Sequence, residues 1–391
     1  MSREPAATPR GSDVGASARE SGRPDGRARD ARRAGGPGRP GSPVVRGSGS
    51  APQGVHAARG IVAVGGTRPV APEIAPPKRR PWALAIAILV VLGLLVASLA
   101  IGVYDIAGSD FGSEMFWITR VPRTLALVLA GAAMATSGLV MQMLTQNRFV
   151  DATTSGTTEW AALGLLLTAL LLPDTGLFGK MVIASCFAFV GAMLFMLILR
   201  RIVIRTTLVV PLIGIMLGAI VSSFTTFLAA QFNLLQMLGT WFMGSFTAVV
   251  RGRYEVLWVV AVVTLLVFLM ADRITVAGLG KDVATSVGVR YEAILIGGTA
   301  LVAVAAGVTT VVVGFLPLLG LVVPNMVSMI RGDNVRSNLP WVCLGGIALV
   351  VACDLVGRTI IMPFEIPVSM VLGLVGAVVF ITLLLRQRRA V

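Results

Sequence analysis

The chain has 391 residues, of which 55% are hydrophobic and 13% are charged, and its net charge is +14. This balance fits a protein that crosses a membrane several times and is difficult to reconcile with a soluble domain. The three cysteines lie inside apolar runs and the single histidine lies near the N-terminus, which argues against a disulfide framework and against a histidine metal site.

Motifs of common catalytic and nucleotide-binding sites are absent. The sequence contains no G-x-x-x-x-G-K-[ST] phosphate loop, no H-E-x-x-H and no G-x-S-x-G. We therefore expect no catalytic residue, no cofactor and no metal ligand, and we do not expect an enzyme. Any ATP that the protein uses must be hydrolysed by a separate subunit.

Residues 1–77 are rich in Gly, Pro, Ala, Ser and Arg and lack sustained periodicity. Such a segment buries too little apolar surface to order itself, so we predict a disordered, basic, cytoplasmic tail. A basic tail can touch anionic lipid or nucleic acid, but a passive extension is the favoured interpretation. We expect no nucleic-acid partner. Residues 78–391 are predicted to form the transmembrane domain.

Apolar runs predict an all-α protein with about ten transmembrane helices. Basic residues flank these runs mainly on one side, which predicts a multi-pass protein of the cell membrane with both termini in the cytoplasm. Short spans near residues 160 and 320 hint at two related halves, a feature of transporters. The predicted spans are 82–103, 124–144, 160–172, 181–199, 208–230, 257–270, 291–313, 318–330, 341–356 and 368–385.

Arg120, Arg123 and Arg358 are among the six basic residues that fall on the predicted outer side, against the general bias. Asp354 lies four residues before Arg358, so the two predict a local ion pair on one helix face. The alternative is a proton relay through Asp354 and Glu365, as in an ion-coupled secondary transporter.

A polar series interrupts the outer half of the span 208–230 and the segment that follows it. We expect residues 231–249 to form a partial helix at the outer surface. The series is a candidate lining for a transport pathway, and packing between helices is an equally good interpretation. Its members are Ser222, Ser223, Thr225, Thr226, Gln231, Asn233 and Gln236.

The stretch 279–290, L-G-K-D-V-A-T-S-V-G-V-R, is short, polar and rich in small residues, and it lies on the predicted inner side between two spans. Asp282 suits the first turn of a short helix and Gly288 suits its end. We interpret a coupling segment of about 274–290 as the contact through which another protein drives this one. A solvated loop is the simpler alternative.

Together these motifs resemble the permease subunits of iron-siderophore ABC importers, the family that includes the vitamin B12 permease. The resemblance covers roughly residues 82–389. Its markers are R-V-P-R-T-L at 120–125, G-A-A-M-A-T-S-G-L-V-M-Q at 131–142, W-F-M-G-S-F at 241–246, the 279–289 segment, L-G-L-V-V-P-N at 319–325, D-L-V-G-R at 354–358 and E-I-P-V at 365–368.

The resemblance implies ten helices per subunit, a second permease subunit that is identical or related, two cytoplasmic ATP-binding cassette subunits, and an extracytoplasmic siderophore-binding protein. It implies coupling to the ATPase through Asp282, Ala284, Val287 and Gly288. It also implies that Arg120, Arg123 and Arg358 dock acidic residues of the binding protein, while anchoring to lipid phosphate is the alternative. Arginine suits docking because its planar fork holds a carboxylate bidentately.

Two segments resemble the branch that carries catecholate-type siderophores, including the anguibactin and petrobactin systems: D-A-T-T-S-G-T-T at 151–158 and P-L-L-G-L-V-V-P-N at 317–325. The particular ligand is not encoded here, because the binding protein largely selects it. Two other functions remain open, an ion-coupled secondary transporter and a membrane scaffold or receptor that transports nothing.

Overall fold

The computed structural model describes residues 81–102, 112–202, 208–332 and 334–388. Within these residues all regular structure is helical. The predicted disordered tail of residues 1–77 lies outside the described part of the chain, as do the basic residues that precede the first span.

Ten long helices form the body of the described chain: α1 (Pro81–Ala100), α3 (Val121–Thr145), α4 (Thr157–Leu171), α5 (Leu177–Arg201), α6 (Val209–Gln231), α8 (Trp258–Gly278), α10 (Tyr291–Val312), α11 (Leu319–Arg331), α12 (Val335–Thr359) and α13 (Val368–Arg388). Seven of the ten are long and apolar enough to cross a membrane, and α4, α11 and the first part of α13 are shorter apolar helices. The predicted fold class is therefore confirmed, and a helix lies at each of the ten predicted spans.

Short elements join these helices. Three are helices: α2 (Gly112–Met115), α7 (Leu235–Phe242) and α9 (Lys281–Ser286). A π-helical turn, Phe116–Arg120, leads into α3, and a 3-10 turn, Tyr254–Leu257, leads into α8. The partial helix predicted within 231–249 is α7. Helix α8 continues eight residues beyond the predicted end of its span at 270, because Ala271, Ile274 and Ala277 still bury one face.

Helix α3 is the centre of the fold. In the most apolar stretch of the helix that contains α3, 83% of the residues are buried, whereas the corresponding share in α1 is 11%. Small residues make this burial possible, since they let neighbouring backbones approach closely. Gly131 lies against the backbone of Gly346 in α12, and Gly138 lies against Gly320 in α11, where an added Cβ would stand 1.9 Å from the Gly320 carbonyl oxygen. Two helices are thus fixed to α3 by backbone contact.

The packing repeats between the two halves of the chain. Helix α3 packs on α12 as α10 packs on α5, and α3 and α10 contact each other. The short helices α4 and α11 each follow a residue in the left-handed region, Gly156 (φ 79°) and Leu318 (φ 59°). These parallels support the hint of two related halves, which run in opposite directions across the predicted membrane.

Helix α3 also defines two faces of the molecule. Its 25 residues span about 37 Å at 1.5 Å per residue. Arg120, just before α3, donates to the Leu99 carbonyl at the end of α1, and Gln146, just after it, donates to the Gly278 carbonyl at the end of α8. We call the end that holds Arg120, Arg123 and Arg358 the arginine face, and the opposite end, which holds α9, the α9 face.

Replacing Gly138 with alanine tests the close packing of α3. The added methyl group meets backbone rather than a movable side chain, so we expect Gly138→Ala to destabilise the protein by about 1–3 kcal/mol or more. Gly93 in α1 is the matched control, because nothing lies within 4 Å of its added Cβ. Thermal unfolding of the purified protein in detergent measures both, and equal melting temperatures for the two variants would contradict the packing.

Candidate functional site

Arg123 is the centre of an ion-pair cluster on the arginine face. Its Nη2 lies 2.7 Å from Oδ1 of Asp354 in α12, and its Nη1 donates to both carboxylate oxygens of Glu365 at 3.0 Å. The Asp354 side chain is fully buried and that of Arg123 is 13% exposed. Since water is largely excluded, each charge depends on its partner for stabilisation. The cluster ties α3 to α12 and to the α12–α13 loop.

Arg358 completes the cluster from α12. Its Nη2 lies 2.7 Å from Asp354 Oδ2, so the predicted local ion pair between these two residues is confirmed. The same guanidinium donates to the Ser98 hydroxyl at 2.9 Å and to the Ile101 carbonyl at 3.0 Å. Arg120 donates to the carbonyls of Leu99 and Ala100, both at 3.0 Å. Two arginines therefore cap the C-terminal carbonyls of α1, where a positive charge is favoured.

Glu365 connects this cluster to the loop after α7. The Thr247 hydroxyl donates to Glu365 Oε2 at 2.6 Å. Burial raises the pKa of Glu365, but the Thr247 hydrogen bond and the Arg123 guanidinium outweigh it, so the pKa of Glu365 lies below its ordinary value. The sequence identifies Glu365 only as an acid near the last spans. Thr247 was missed, because a lone threonine in a loop carries no sequence signal of its partner.

On the opposite face, α9 is a six-residue helix with a glycine before it and a glycine after it. Both glycines have a positive φ, 108° at Gly280 and 79° at Gly288. Asp282 lies in its first turn, as predicted. The Gly288 amide bonds to the Thr285 carbonyl and the next amide bonds to the Ala284 carbonyl. This hydrogen-bond pair is the Schellman motif, so Gly288 does end the helix as the sequence predicts.

The predicted coupling residues take different positions on α9. Ala284 is fully buried against the body of the subunit, whereas Asp282, Val287 and Gly288 are exposed. Of the predicted coupling segment 274–290, residues 274–278 belong to the end of α8. Ion pairs hold the base of α9: Glu292 lies 2.5 Å from Arg200 and 3.6 Å from Lys281.

Three apolar side chains are exposed along this segment: Leu279 at 63%, Val283 at 44% and Val287 at 62%. Sequence reasoning singled out Val287 but missed Leu279 and Val283. Their signal is weak, because an apolar residue beside a membrane span is ordinarily assigned to the span. The exposed apolar surface of α9 is thus larger than predicted.

The predicted pathway residues do not share one surface. Thr225 is 1% exposed, faces the interior and donates to the Val221 carbonyl. Ser222 is half-buried. The other members of the series are exposed: Ser223, Thr226, Gln231, Asn233 and Gln236. Around them, α6 presents large apolar side chains such as Ile220 and Phe227. One subunit therefore leaves this face of α6 uncovered.

Asp354→Asn should be strongly destabilising, because it leaves two buried guanidinium groups without their shared counter-charge. We expect a loss of about 3–5 kcal/mol in the free energy of unfolding. The control is Asp272→Asn, which breaks the exposed ion pair between Asp272 and Arg336 on the α9 face and should cost no more than about 1 kcal/mol. Chemical denaturation of the purified variants tests this, and a small loss for Asp354→Asn would refute the cluster's role.

Glu365 gives a pH prediction. Because its pKa is lowered in the folded protein, the charged carboxylate stabilises the fold above the unfolded pKa of about 4.3. That contribution is lost as the pH falls through the folded pKa. The stability difference between the wild type and Glu365→Gln should therefore be full at pH 7 and shrink below about pH 4.3. Melting temperatures measured across that range test it, and a difference that grows on acidification would be inconsistent with the pairing.

Comparisons with known proteins agree with this architecture. Residues 85–386 match the model of the FecCD transport family. The chain is 56% identical over 310 residues to the petrobactin import system permease protein FatD of Bacillus anthracis, covering 79% of this chain and 92% of the relative. It is 37% identical over 282 residues to the ferric-anguibactin transport system permease protein FatD of Vibrio anguillarum, covering 71% of this chain and 90% of the relative.

A solved structure shares the fold. It is an inward-facing metal-chelate type ABC transporter, with a TM-score of 0.68, 24% identity, and coverage of 78% of this chain and all of that chain. At this identity the likeness speaks for the fold alone. The family match and the 56% identical relative establish that the chain is a permease of the FecCD transport family.

Proposed function

We propose that the chain is the membrane-spanning permease subunit of an ABC importer that carries a ferric siderophore of the petrobactin type into the cytoplasm. The observation that carries this proposal is the 56% identity to a petrobactin import permease over 92% of that relative's length. The 39% identity to the petrobactin import permease YclN of Bacillus subtilis supports the same substrate class.

The arginine face is proposed to face outward and to receive the binding protein. Arg120 is half-buried at the rim, while Arg123 and Arg358 lie behind it in ion pairs with Asp354 and Glu365. An acidic residue of the binding protein would share Arg120 first. It would then compete for Arg123 with Glu365. Of the two acids in the cluster, Glu365 is the more exposed, at 24%. Docking is thus proposed to loosen the link between α3 and the α12–α13 loop.

The α9 face is proposed to face the cytoplasm, with both chain termini on that side, and to contact a separate ATP-binding cassette subunit. Ala284 seats α9 on the permease, and Val283 and Val287 offer apolar surface to the ATPase. Asp282 and Gly288 lie exposed beside them. Helix-in-groove recognition uses such a short helix with an apolar side.

A second permease, identical or related, is proposed to cover the uncovered face of α6. Its large exposed apolar side chains and the exposed members of the polar series fit a shared interface with a pathway between the two subunits. Thr225, which faces the interior of one subunit, is omitted from the proposed lining. Interhelical packing accounts for it better.

The ion-coupled alternative is less well supported. A proton relay needs a carboxylate that exchanges protons readily, but Asp354 lies between two guanidinium groups and is fully buried. The scaffold alternative predicts no uptake defect when the chain is deleted. ATP depletion distinguishes the ion-coupled secondary transporter from the proposed importer, because only the secondary transporter would continue to transport without ATP.

Val283→Asp tests the coupling surface. Placing a charge on the apolar side of α9 should abolish or reduce, by about tenfold or more, both copurification of the ATP-binding subunit and ATP-dependent uptake of ferric petrobactin. Thr285→Asp is the matched control, because Thr285 is exposed on the other flank of the same helix, and it should retain most activity. Normal assembly and uptake in Val283→Asp would refute coupling through α9.

A further inference from the structure

A cavity of about 540 Å³ opens on the arginine face. It lies between α7, the loop after α7 and the C-terminal end of α10. Thr247, which donates to Glu365, is one of its lining residues, so the cavity adjoins the ion-pair cluster. Its volume is in the range of small-molecule sites in proteins. The cavity belongs neither to the arginine cluster nor to the polar series of α6.

Hydroxyl groups and one cation provide the polar part of its wall. Among the described residues that line it, Arg253 is the one charged side chain. Ser245 and Thr247 are hydrogen-bonded to each other at 2.9 Å, which holds both hydroxyls in place. Thr310 is only 5% exposed and contributes a further hydroxyl group to the buried part of the wall. The remaining wall includes the large apolar side chains Trp241 and Met243.

Arg253 differs from the arginines of the cluster. Arg123 and Arg358 are paired with acids and largely buried. Arg253 is exposed, and within the described chain no carboxylate forms an ion pair with it. Its guanidinium therefore keeps its hydrogen-bond donors available to a ligand in the cavity, and these donors match the geometry of carboxylate and other oxygen anions.

We propose that this cavity receives the ligand from the binding protein, and that Arg253 binds an anionic oxygen of that ligand. The inference rests on the proposed importer function and deepens it. The chemical class that fits is an anionic oxygen chelate with aromatic parts: the Arg253 guanidinium binds an anionic oxygen, and Trp241 and Met243 contact the rings. Arg253 is thus a ligand-binding residue distinct from the docking arginines.

The first test measures transport by the complete importer, with its ATP-binding subunits, in proteoliposomes. Binding protein loaded with radioactive ferric petrobactin is supplied over a range of concentrations. Arg253→Gln should lower the maximal uptake rate about tenfold, as expected for loss of a charge-assisted hydrogen bond. The concentration of loaded binding protein that gives half-maximal uptake should not change, because docking is left intact.

Arg251→Gln is the matched control. Arg251 is exposed in the same loop but does not line the cavity, so its uptake should stay within about twofold of wild type. Arg253→Lys keeps the charge and should restore much of the rate. Equal rates for Arg253→Gln and Arg251→Gln would overturn the proposal, and so would a change confined to the half-maximal concentration, which would assign Arg253 to docking.

A second test does not depend on the identity of the substrate. Ala248, another lining residue, is replaced with cysteine in a chain whose three native cysteines are substituted. The assembled importer is treated with an anionic and a cationic methanethiosulfonate reagent. The ratio of the anionic to the cationic reaction rate at this cysteine should be several-fold higher than the same ratio measured with a free thiol in solution. Arg253→Gln should abolish this preference for the anionic reagent. An unreactive Ala248→Cys, or a preference that survives Arg253→Gln, would contradict an open, anion-attracting cavity, even if ferric petrobactin proves not to be transported.

Discussion

The structure depends on the close packing of α3. Without side chains at Gly131 and Gly138, the backbone of α3 meets the backbones of α12 and α11 directly. The packing of α3 matters for function because the helix begins at the arginine cluster and ends beside the connection between α8 and α9. A rigid, buried helix of about 37 Å therefore joins the two faces. Helix α3 is thus a single element that contacts both faces and packs on both halves of the fold.

The arginine cluster balances its own charges. Arg123 and Arg358 are matched by Asp354 and Glu365, and the buried member, Asp354, is shared between both arginines. Breaking such a cluster is strongly destabilising, because removing either partner leaves an uncompensated charge in a poorly hydrated site. In the proposed docking, an acid of the binding protein would replace an acid of the cluster rather than fill an empty position.

Much of the fold was predictable from local sequence. Spans follow from apolar runs, because the bilayer sets their length, and Gly288 and Asp282 mark the ends of α9 by ordinary helix chemistry. The pairing of Asp354 with Arg358 follows from their spacing of four residues. These features need only neighbours along the chain, which is why the sequence was sufficient to identify them.

Other features depend on the third dimension. Arg123 pairs with Glu365 across 242 residues, and no local pattern indicates that contact. The burial of Ala284 and Thr225 was also not predicted. In a membrane protein, the lipid-facing and core-facing sides of a helix are both apolar, so hydrophobic periodicity does not fix its rotation about its axis. Where local polarity is uninformative, only packing decides which side chains remain available for function.

We propose that the arginine face lies outside the cell and the α9 face lies inside, with α3 in contact with both. Labelling with a membrane-impermeant maleimide tests it directly, using Thr119→Cys on the first face and Ser286→Cys on the second in a cysteine-free chain. We predict that intact cells label only Thr119→Cys, and that inverted membrane vesicles label only Ser286→Cys. Labelling of Ser286→Cys in intact cells would contradict the account, because α9 would then be out of reach of any cytoplasmic ATPase.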